Sequence, residues 1–383
     1  MRRTIIYNSS QKLNNIINNG IIRSVNTNGG QQTYGISINA SMNDIKNRGL
    51  INSNIISSDY CYSHGIKVLS SMGNIKNSGL INSSTSDSSE ESLSTGYGID
   101  IYSNGSPITV EEIENSGVIY GHGNAINKSN KTTVSAANNY GLLVSGDSDE
   151  NVTNGVTIVA HDDTTDGSDK IKNYGLAFIA DSSSGSNEYI GGGKSNTNPN
   201  IDYHNNFGEI YYGISIDGVD YDIINVDAEV NETSKEITDL KSLSMKDGKL
   251  YSDADDIAGS EIGDFSSDKQ YILNGIENTL KVSGTENELN NSTVNAYTTA
   301  VVMDEGNSML TLDNTIVNGG VAQDSSTISI TENGSALTVK GDSVINVRDE
   351  GVAIKVTGDD NAVVLEGNAI VNGKMEASGD RNI

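Results

Sequence analysis

Hydrophobic residues in this chain form neither long runs nor a helical stripe; they come in short alternating bursts that return at intervals. One burst reads apolar, any residue, Asn, any residue, Gly, then apolar residues. It appears as Ile16-Ile17-Asn18-Asn19-Gly20-Ile21-Ile22, Ile45-Lys46-Asn47-Arg48-Gly49-Leu50-Ile51 and Ile75-Lys76-Asn77-Ser78-Gly79-Leu80-Ile81. It returns as Ile113-Glu114-Asn115-Ser116-Gly117-Val118-Ile119 and Ile171-Lys172-Asn173-Tyr174-Gly175-Leu176, with degraded copies at 137–143 and 204–210. The glycines at 20, 49, 79, 117, 141, 175 and 208 step first by 29 and 30 residues and then by 24 to 38. Such variation is expected where loops of different length leave a constant coil.

A second burst interleaves with the first. Tyr34-Gly35-Ile36-Ser37-Ile38, His64-Gly65-Ile66-Lys67-Val68, Tyr97-Gly98-Ile99-Asp100-Ile101 and Tyr212-Gly213-Ile214-Ser215-Ile216 all share Gly-Ile-polar-apolar, and Asn154-Gly155-Val156-Thr157-Ile158 is a relative. Strict period-two alternation predicts short strands with two inward side chains each. Gly35 precedes Gly49, and Gly65 precedes Gly79, by 14 residues, so the two bursts behave as two strands of one repeating unit.

The last hundred residues change the wording and keep the period. Met303 to Leu312, Ile330 to Val339 and Val356 to Leu365 are each nine apart, and the unit steps by 27 and then 26 residues. A disordered Asn/Ser/Gly-rich chain does not hold such a register. The pattern predicts an all-β parallel solenoid of roughly a dozen coils, because no strand here is long enough to be stable alone and stacking pairs each backbone with its neighbours. Like residues should then meet like: Ile45 near Ile75, and Ile66 near Ile99. Asn47 and Asn77 are expected at a turn in the left-handed region, their amides linked in a ladder, with Gly49 and Gly79 supplying positive φ. The expected division is solenoid coils over 1–224, an irregular acidic insertion over 225–270 with a short helix near 232–240 and an acidic turn at 253–256, further coils over 271–374, and a tail over 375–383.

Composition fits a thin aliphatic core. The 383 residues include no Trp and three Phe, with a hydrophobic share of 35%. A net charge of −27 repels phosphate backbones and anionic lipid, which argues against nucleic-acid binding and membrane-surface docking. The single cysteine, Cys61, excludes an intramolecular disulfide framework and a cysteine-based zinc site. Ile5-Ile6-Tyr7 after Met1-Arg2-Arg3 is too short for the apolar region of a signal peptide, and no stretch approaches a membrane helix. The chain begins and ends in repeat-like sequence, and reads as a piece of something longer.

Candidate chemistry is sparse. Gly121-His122-Gly123 and His161-Asp162-Asp163 echo the Asp-pair-plus-His sites of carbohydrate-cleaving β-helices, but in reversed order and without the basic segment, so His122, like His64, is read as a turn residue in a strand-start slot. Asp162-Asp163-Thr164-Thr165-Asp166-Gly167 loosely echoes a calcium loop, yet Asn173 stands where the bidentate Glu belongs. Gly191-Gly192-Gly193-Lys194-Ser195 lacks the first glycine of a phosphate loop and any following helix pattern. No catalytic, cofactor-binding or metal site is assigned, and no cofactor is expected.

The Asn-x-Gly-Leu-Ile coils, followed by Leu-Thr-Leu-Asp-Asn-Thr-Ile-Val-Asn-Gly at 310–319, resemble the passenger domains of bacterial autotransporters of type V secretion. The resemblance covers most of the chain and rests on repeat style rather than on a catalytic motif. It implies a right-handed parallel β-helix (β-solenoid) displayed outside a Gram-negative outer membrane, acting as an adhesin or stalk toward a host-cell or bacterial surface protein or glycan. It also implies a signal sequence and a C-terminal translocator barrel in the full-length protein; with neither in this chain, a truncated or split gene product is expected. Loops at 181–200 and 225–269 would then be presented on the solenoid. The alternative is a carbohydrate-active β-helix, a hydrolase, lyase or tailspike-like protein.

Overall fold

The computed structural model describes residues 5–7, 13–27, 32–57, 61–87, 95–146, 153–154, 157–160, 170–181, 188–190, 206–230, 236–252, 261–264 and 269–383. Among them the regular elements are strands, almost all paired in parallel. The chain divides into two compact units: unit 1, Met1–Asn205 with Val230–Thr238, and unit 2, Asn206–Glu229 with Asp239–Ile383.

Unit 1 is three-sided. Each turn of the chain lays one strand on each of three sheets, as in Gln32–Ile38, Met42–Asn47 and Leu50–Ser57, then Tyr62–Val68, Met72–Asn77 and Leu80–Asp87 one turn on. Ile45 pairs with Ile75 and Ile66 with Ile99, as the repeat spacing requires. The inward residues form one aliphatic core, with Ile36, Ile45, Ile51, Ile66, Ile75, Ile81, Ile99 and Ile119 fully buried. Stacking like on like removes the apolar face of every short strand from water, which drives the stack.

The asparagines run as a ladder through this unit. Asn18, Asn47, Asn77, Asn115 and Asn139 each donate Nδ2–H to the Oδ1 of the next rung, 2.7–2.8 Å away, ending on Asn173. The ladder was expected; the left-handed conformation of Asn47 and Asn77 was not found, because these residues close strands Met42–Asn47 and Met72–Asn77 with ordinary φ. Gly49 and Gly79 likewise lack positive φ. Glycine is needed there for a different reason: a Cβ on Gly79 would fall on the carbonyl oxygen of Gly49, and one on Gly49 on that of Gly20, far inside contact distance.

Unit 2 has its own three sheets and core, with Leu310, Leu312, Leu337, Val339, Ile328, Ile330 and Ile354 buried. Met303, Ile330 and Val356 share one column and Leu312, Val339 and Leu365 another, matching the 27- and 26-residue steps. A second ladder joins Asn225, Asn274, Asn295, Asn318, Asn346 and Asn372.

Several sequence expectations change here. Part of the interval 225–270 belongs to the coils, since Leu243–Lys246 pairs in parallel with Leu280–Ser283; residues 231–235, 253–260 and 265–268, with the acidic turn expected at 253–256, lie outside the described residues. Val219–Asn225, which ends at its border, likewise pairs in parallel with Gln270–Gly275. What breaks the repeat is a pair of hairpins at Asp217-Gly218 and Asp247-Gly248, where both residues take positive φ as a type I′ turn demands. Tyr212-Gly213-Ile214 therefore lies on an antiparallel strand, Ile210–Ile216, and not on a coil of the unit 1 stack; Gly208, at φ 75°, also leaves the glycine series. The helix expected near 232–240 is replaced by strand Glu236–Leu240, whose Ile237 is buried and pairs antiparallel with Tyr189. Tertiary pairing overrides the weak local helix preference. The expected tail is partly strand, since Lys374–Ala377 pairs with Val352–Val356.

Candidate functional site

The outer face of one unit 1 sheet carries a polar column of unusual density. Strands Gln32–Ile38, Tyr62–Val68, Thr95–Ile101 and Asn124–Lys128 stack in register. They align Tyr34, His64, Tyr97 and Asn124 in one column and Ser37, Lys67, Asp100 and Asn127 in another. Between the columns lie Ile36, Ile66, Ile99 and Ile126, buried in the core, and strand alternation turns the residues that follow them, Ser37, Lys67, Asp100 and Asn127, away from it. The preceding glycines permit close stacking: a Cβ on Gly65 would sit 2.6 Å from the Gly98 carbonyl oxygen and from Ile81 Cγ2.

The rings stack along the column. Tyr34 and His64 have centroids 5.2 Å apart and planes 17° apart; His64 and Tyr97 lie 5.6 Å apart at 32°. His64 is 1% exposed and Asp100 2% exposed, so this is an ionisable group beside a carboxylate at near-complete burial. His64 Nδ1 lies 3.1 Å from Asp100 Oδ2, a contact too bent for a good hydrogen bond and therefore mainly electrostatic. Lys67 Nζ lies 3.5 Å from the same oxygen and 3.4 Å from His64 Nε2. Asn127 donates Nδ2–H to Asp100 Oδ1 at 2.7 Å, so both carboxylate oxygens are engaged.

Burial pushes the His64 imidazole below its ordinary pKa, and the Lys67 ammonium adds to this, against the opposing pull of Asp100. Burial alone would raise Asp100, but His64, Lys67 and Asn127 together hold it below the usual carboxylate range. The Tyr34 hydroxyl is pushed up by burial and by the Asp100 charge. At neutral pH the geometry thus fits a neutral His64, protonated on Nδ1 toward Asp100 and accepting from Lys67 on Nε2, beside an ionised Asp100.

These groups floor a cleft of about 540 Å³, walled by Tyr34, Tyr62, Tyr97 and Tyr102 and rimmed by Gln32, Asn104 and Asn127. Tyr34 Oη donates to Gln32 Oε1. Lys67 Nζ stands 5.5 Å from the ring centroids of both Tyr34 and Tyr102, within cation–π range.

The sequence reading gave His64 a turn slot; it is a mid-strand rung. Position 122 is not the equivalent slot, which Asn124 occupies, fully buried. His122 sits between strands Val118–Gly121 and Asn124–Lys128, its N–H donating to the Ser83 carbonyl at 2.9 Å. Its flanking glycines have steric causes: a Cβ on Gly121 would overlap the Asn124 carbonyl, and one on Gly123 would lie 2.7 Å from Thr95 Cγ2. His161, Asp162, Asp163, Asp166 and Gly191-Gly192-Gly193-Lys194-Ser195 lie outside the described residues, as does most of the 181–200 loop. Cys61 is buried. Among the described residues no group of three or more His, Cys, Asp or Glu is placed to hold a metal ion.

Lys67 and Asp100 escaped notice because each is an ordinary polar position in its own strand. Writing the Gly-Ile-polar-apolar bursts beneath one another puts Lys67 beside Asp100 and His64 beside Tyr97; Asn127 lies on Asn124–Lys128, whose Ala-Ile-Asn-Lys departs from the burst pattern. The chain matches no family model, no curated protein and no solved structure.

Proposed function

We propose that this chain is a non-enzymatic, surface-displayed β-solenoid of the autotransporter-passenger kind, and that unit 1 binds its partner through the tyrosine-walled cleft. One observation carries the reading: the ionisable groups at the cleft floor are engaged with one another. Asp100 has both oxygens engaged, by Asn127 on one side and by His64 and Lys67 on the other. His64 presents its second ring nitrogen to Lys67, where a catalytic base would present it to a nucleophile. Glycoside cleavage in its usual form uses two carboxylates roughly 5–10 Å apart across the bond, whereas Asp100 is the one carboxylate among the described residues lining the cleft. What the site offers is a rigid concave surface with aromatic walls and a polar rim, the usual dress of a binding pocket. The acidic surface, the stacked coils and the repeat style support display outside the cell.

The test pairs binding with turnover. Purified chain incubated with bacterial and cultured host cells should bind one of them saturably, with no release of reducing sugar or unsaturated uronate from surface polysaccharide. Antibody against the chain should label intact producing cells, and added protease should remove the label. Sustained product release that stops in Asp100→Asn, or labelling only after permeabilisation, would overturn the reading.

A further inference from the structure

We propose that the unit 1 cleft is a subsite for a neutral oligosaccharide of two or three sugar units; this rests on the binding reading above and names its ligand class. The argument starts from charge. Lys67 and Asp100 lie 3.5 Å apart and nearly buried, so the floor carries both signs and a net charge close to zero while His64 is neutral. An anionic guest reaching Lys67 meets Asp100 behind it, and a chain of net charge −27 around it. A cationic guest would want the space between Tyr34 and Tyr102, which the ammonium of Lys67 already fills, 5.5 Å from each ring. Displacing Lys67 would strand Asp100 in a buried site, which is costly.

The remaining offer is uncharged and amphoteric. The carboxamides of Gln32, Asn104 and Asn127 and the tyrosine hydroxyls both donate and accept, which is what a sugar hydroxyl also does. Tyr34, His64 and Tyr97 stack on one another and present their rims to the cleft; Tyr102, 43% exposed, retains open ring surface for the C–H face of a pyranose. A volume of about 540 Å³ lies within the range of small-molecule sites and exceeds what a single sugar fills.

The intact chain would be applied to an array of neutral hexose and N-acetylhexosamine oligosaccharides alongside sialylated and uronate-containing ones. The best neutral binder would then be titrated by calorimetry. Binding to neutral members is expected, weakened about tenfold or more by Tyr102→Ala and measurably by Asn104→Ala, the scale of losing one well-placed contact. Both positions are substantially exposed, so thermal unfolding should not move, and Tyr212→Ala, a 62%-exposed tyrosine in unit 2, should bind normally. Binding confined to acidic members, no array binding at all, or full affinity in both Y102A and N104A would overturn the proposal. Cell binding that persists without glycan binding would sink this inference alone; loss of cell binding and surface labelling would sink the functional reading beneath it.

Discussion

In unit 1 the corner after each asparagine rung from Asn47 onward is taken by glycines 49, 79, 117, 141 and 175, each of which would drive a Cβ into the carbonyl of the glycine one coil earlier. In unit 2 the corners are taken by residues in the left-handed region, among them Asn291, Asn307, Asn314, Asp324, Asp349 and Asp360. Positive φ occurs at only Lys131 and Gly105 among the described residues of unit 1. The two units thus share parallel winding, an aliphatic core and an asparagine ladder, but reach them through different turn chemistry. In unit 1 the constraint is space between coils; in unit 2 backbone conformation within a coil joins it, although a Cβ on Gly358 would still fall 2.6 Å from the Glu332 carbonyl oxygen. Even the ladders differ in sense, since Asn47 donates forward to Asn77 while Asn346 donates back to Asn318.

Substituting glycine should separate the two constraints most sharply. Gly79→Ala sets a methyl against the backbone oxygen of Gly49, which cannot move without shifting a whole coil. The expected cost is about 3 kcal/mol or more, at or beyond the upper end of overpacking effects. Peptide-resolved hydrogen exchange should show protection lost from unit 1 strands and kept in unit 2. If G79A retains wild-type protection around Met72–Asn77, the stacked-glycine account is wrong.

Breaking the feature the units share should affect them alike. Asn77→Ala removes the acceptor for Asn47 and the donor for Asn115, and Asn318→Ala does the same between Asn346 and Asn295. Each leaves two buried amide groups short of a partner, worth about 2–3 kcal/mol together. Chemical denaturation of the two variants should give losses within about 1 kcal/mol of each other. A loss in one unit alone would show that the ladders are not equivalent.

A unit 2 corner should be the more forgiving. Gly341 has φ 66°, and a Cβ there meets the Oδ1 atoms of Asp313 and Asn314 at 2.5 Å, which are ends of side chains that can turn away. Gly341→Ala should therefore cost about 1–2 kcal/mol, the left-handed penalty, and Gly341→Asn less. An alanine cost equal to that of G79A would erase the distinction drawn between the units.

The same contrast explains what could be read from sequence. Column partners such as Ile45 with Ile75 were legible because core contacts repeat with the coil, and the asparagine ladder because its rungs recur beside them. The reason for Gly49 was not, since a lone motif cannot tell a glycine that needs positive φ from one that needs room above it. The Asp217-Gly218 and Asp247-Gly248 hairpins carried a local signal that the surrounding Gly-Ile pattern masked. The His64, Lys67 and Asp100 cluster takes residues from two coils that lie 33 to 36 positions apart, so no local motif announces it. Only the register unites them.

That cluster also gives the units a different response to acid, smaller than any of the substitutions. All four histidines fall within unit 1, at 64, 122, 161 and 204. His64 is held neutral by burial, with Lys67 adding to the effect and Asp100 opposing it, while Tyr34, Tyr62 and Tyr97 pack against its ring without charge at neutral pH. Because its folded pKa lies below the unfolded value near 6.5, the unfolded chain binds the proton first. Stability from this group is complete well above pH 6.5 and declines as pH falls through that value toward the folded pKa. Asp100, also lowered, contributes above its unfolded value near 3.9 and is lost only as pH falls through its folded pKa. Between pH 8 and 5 the cluster's response is therefore that of His64. Hydrogen exchange corrected for intrinsic rate should show weaker protection at pH 5 in Tyr62–Val68 and Thr95–Ile101, with little change in Ile328 and its column in unit 2. His64→Tyr, which continues the ring column of Tyr34 and Tyr97 with a group neutral across this range, should flatten the response. If acid loosens unit 2 as much as unit 1, or the tyrosine variant keeps the full response, the effect belongs to the net charge of the whole chain and not to this cluster.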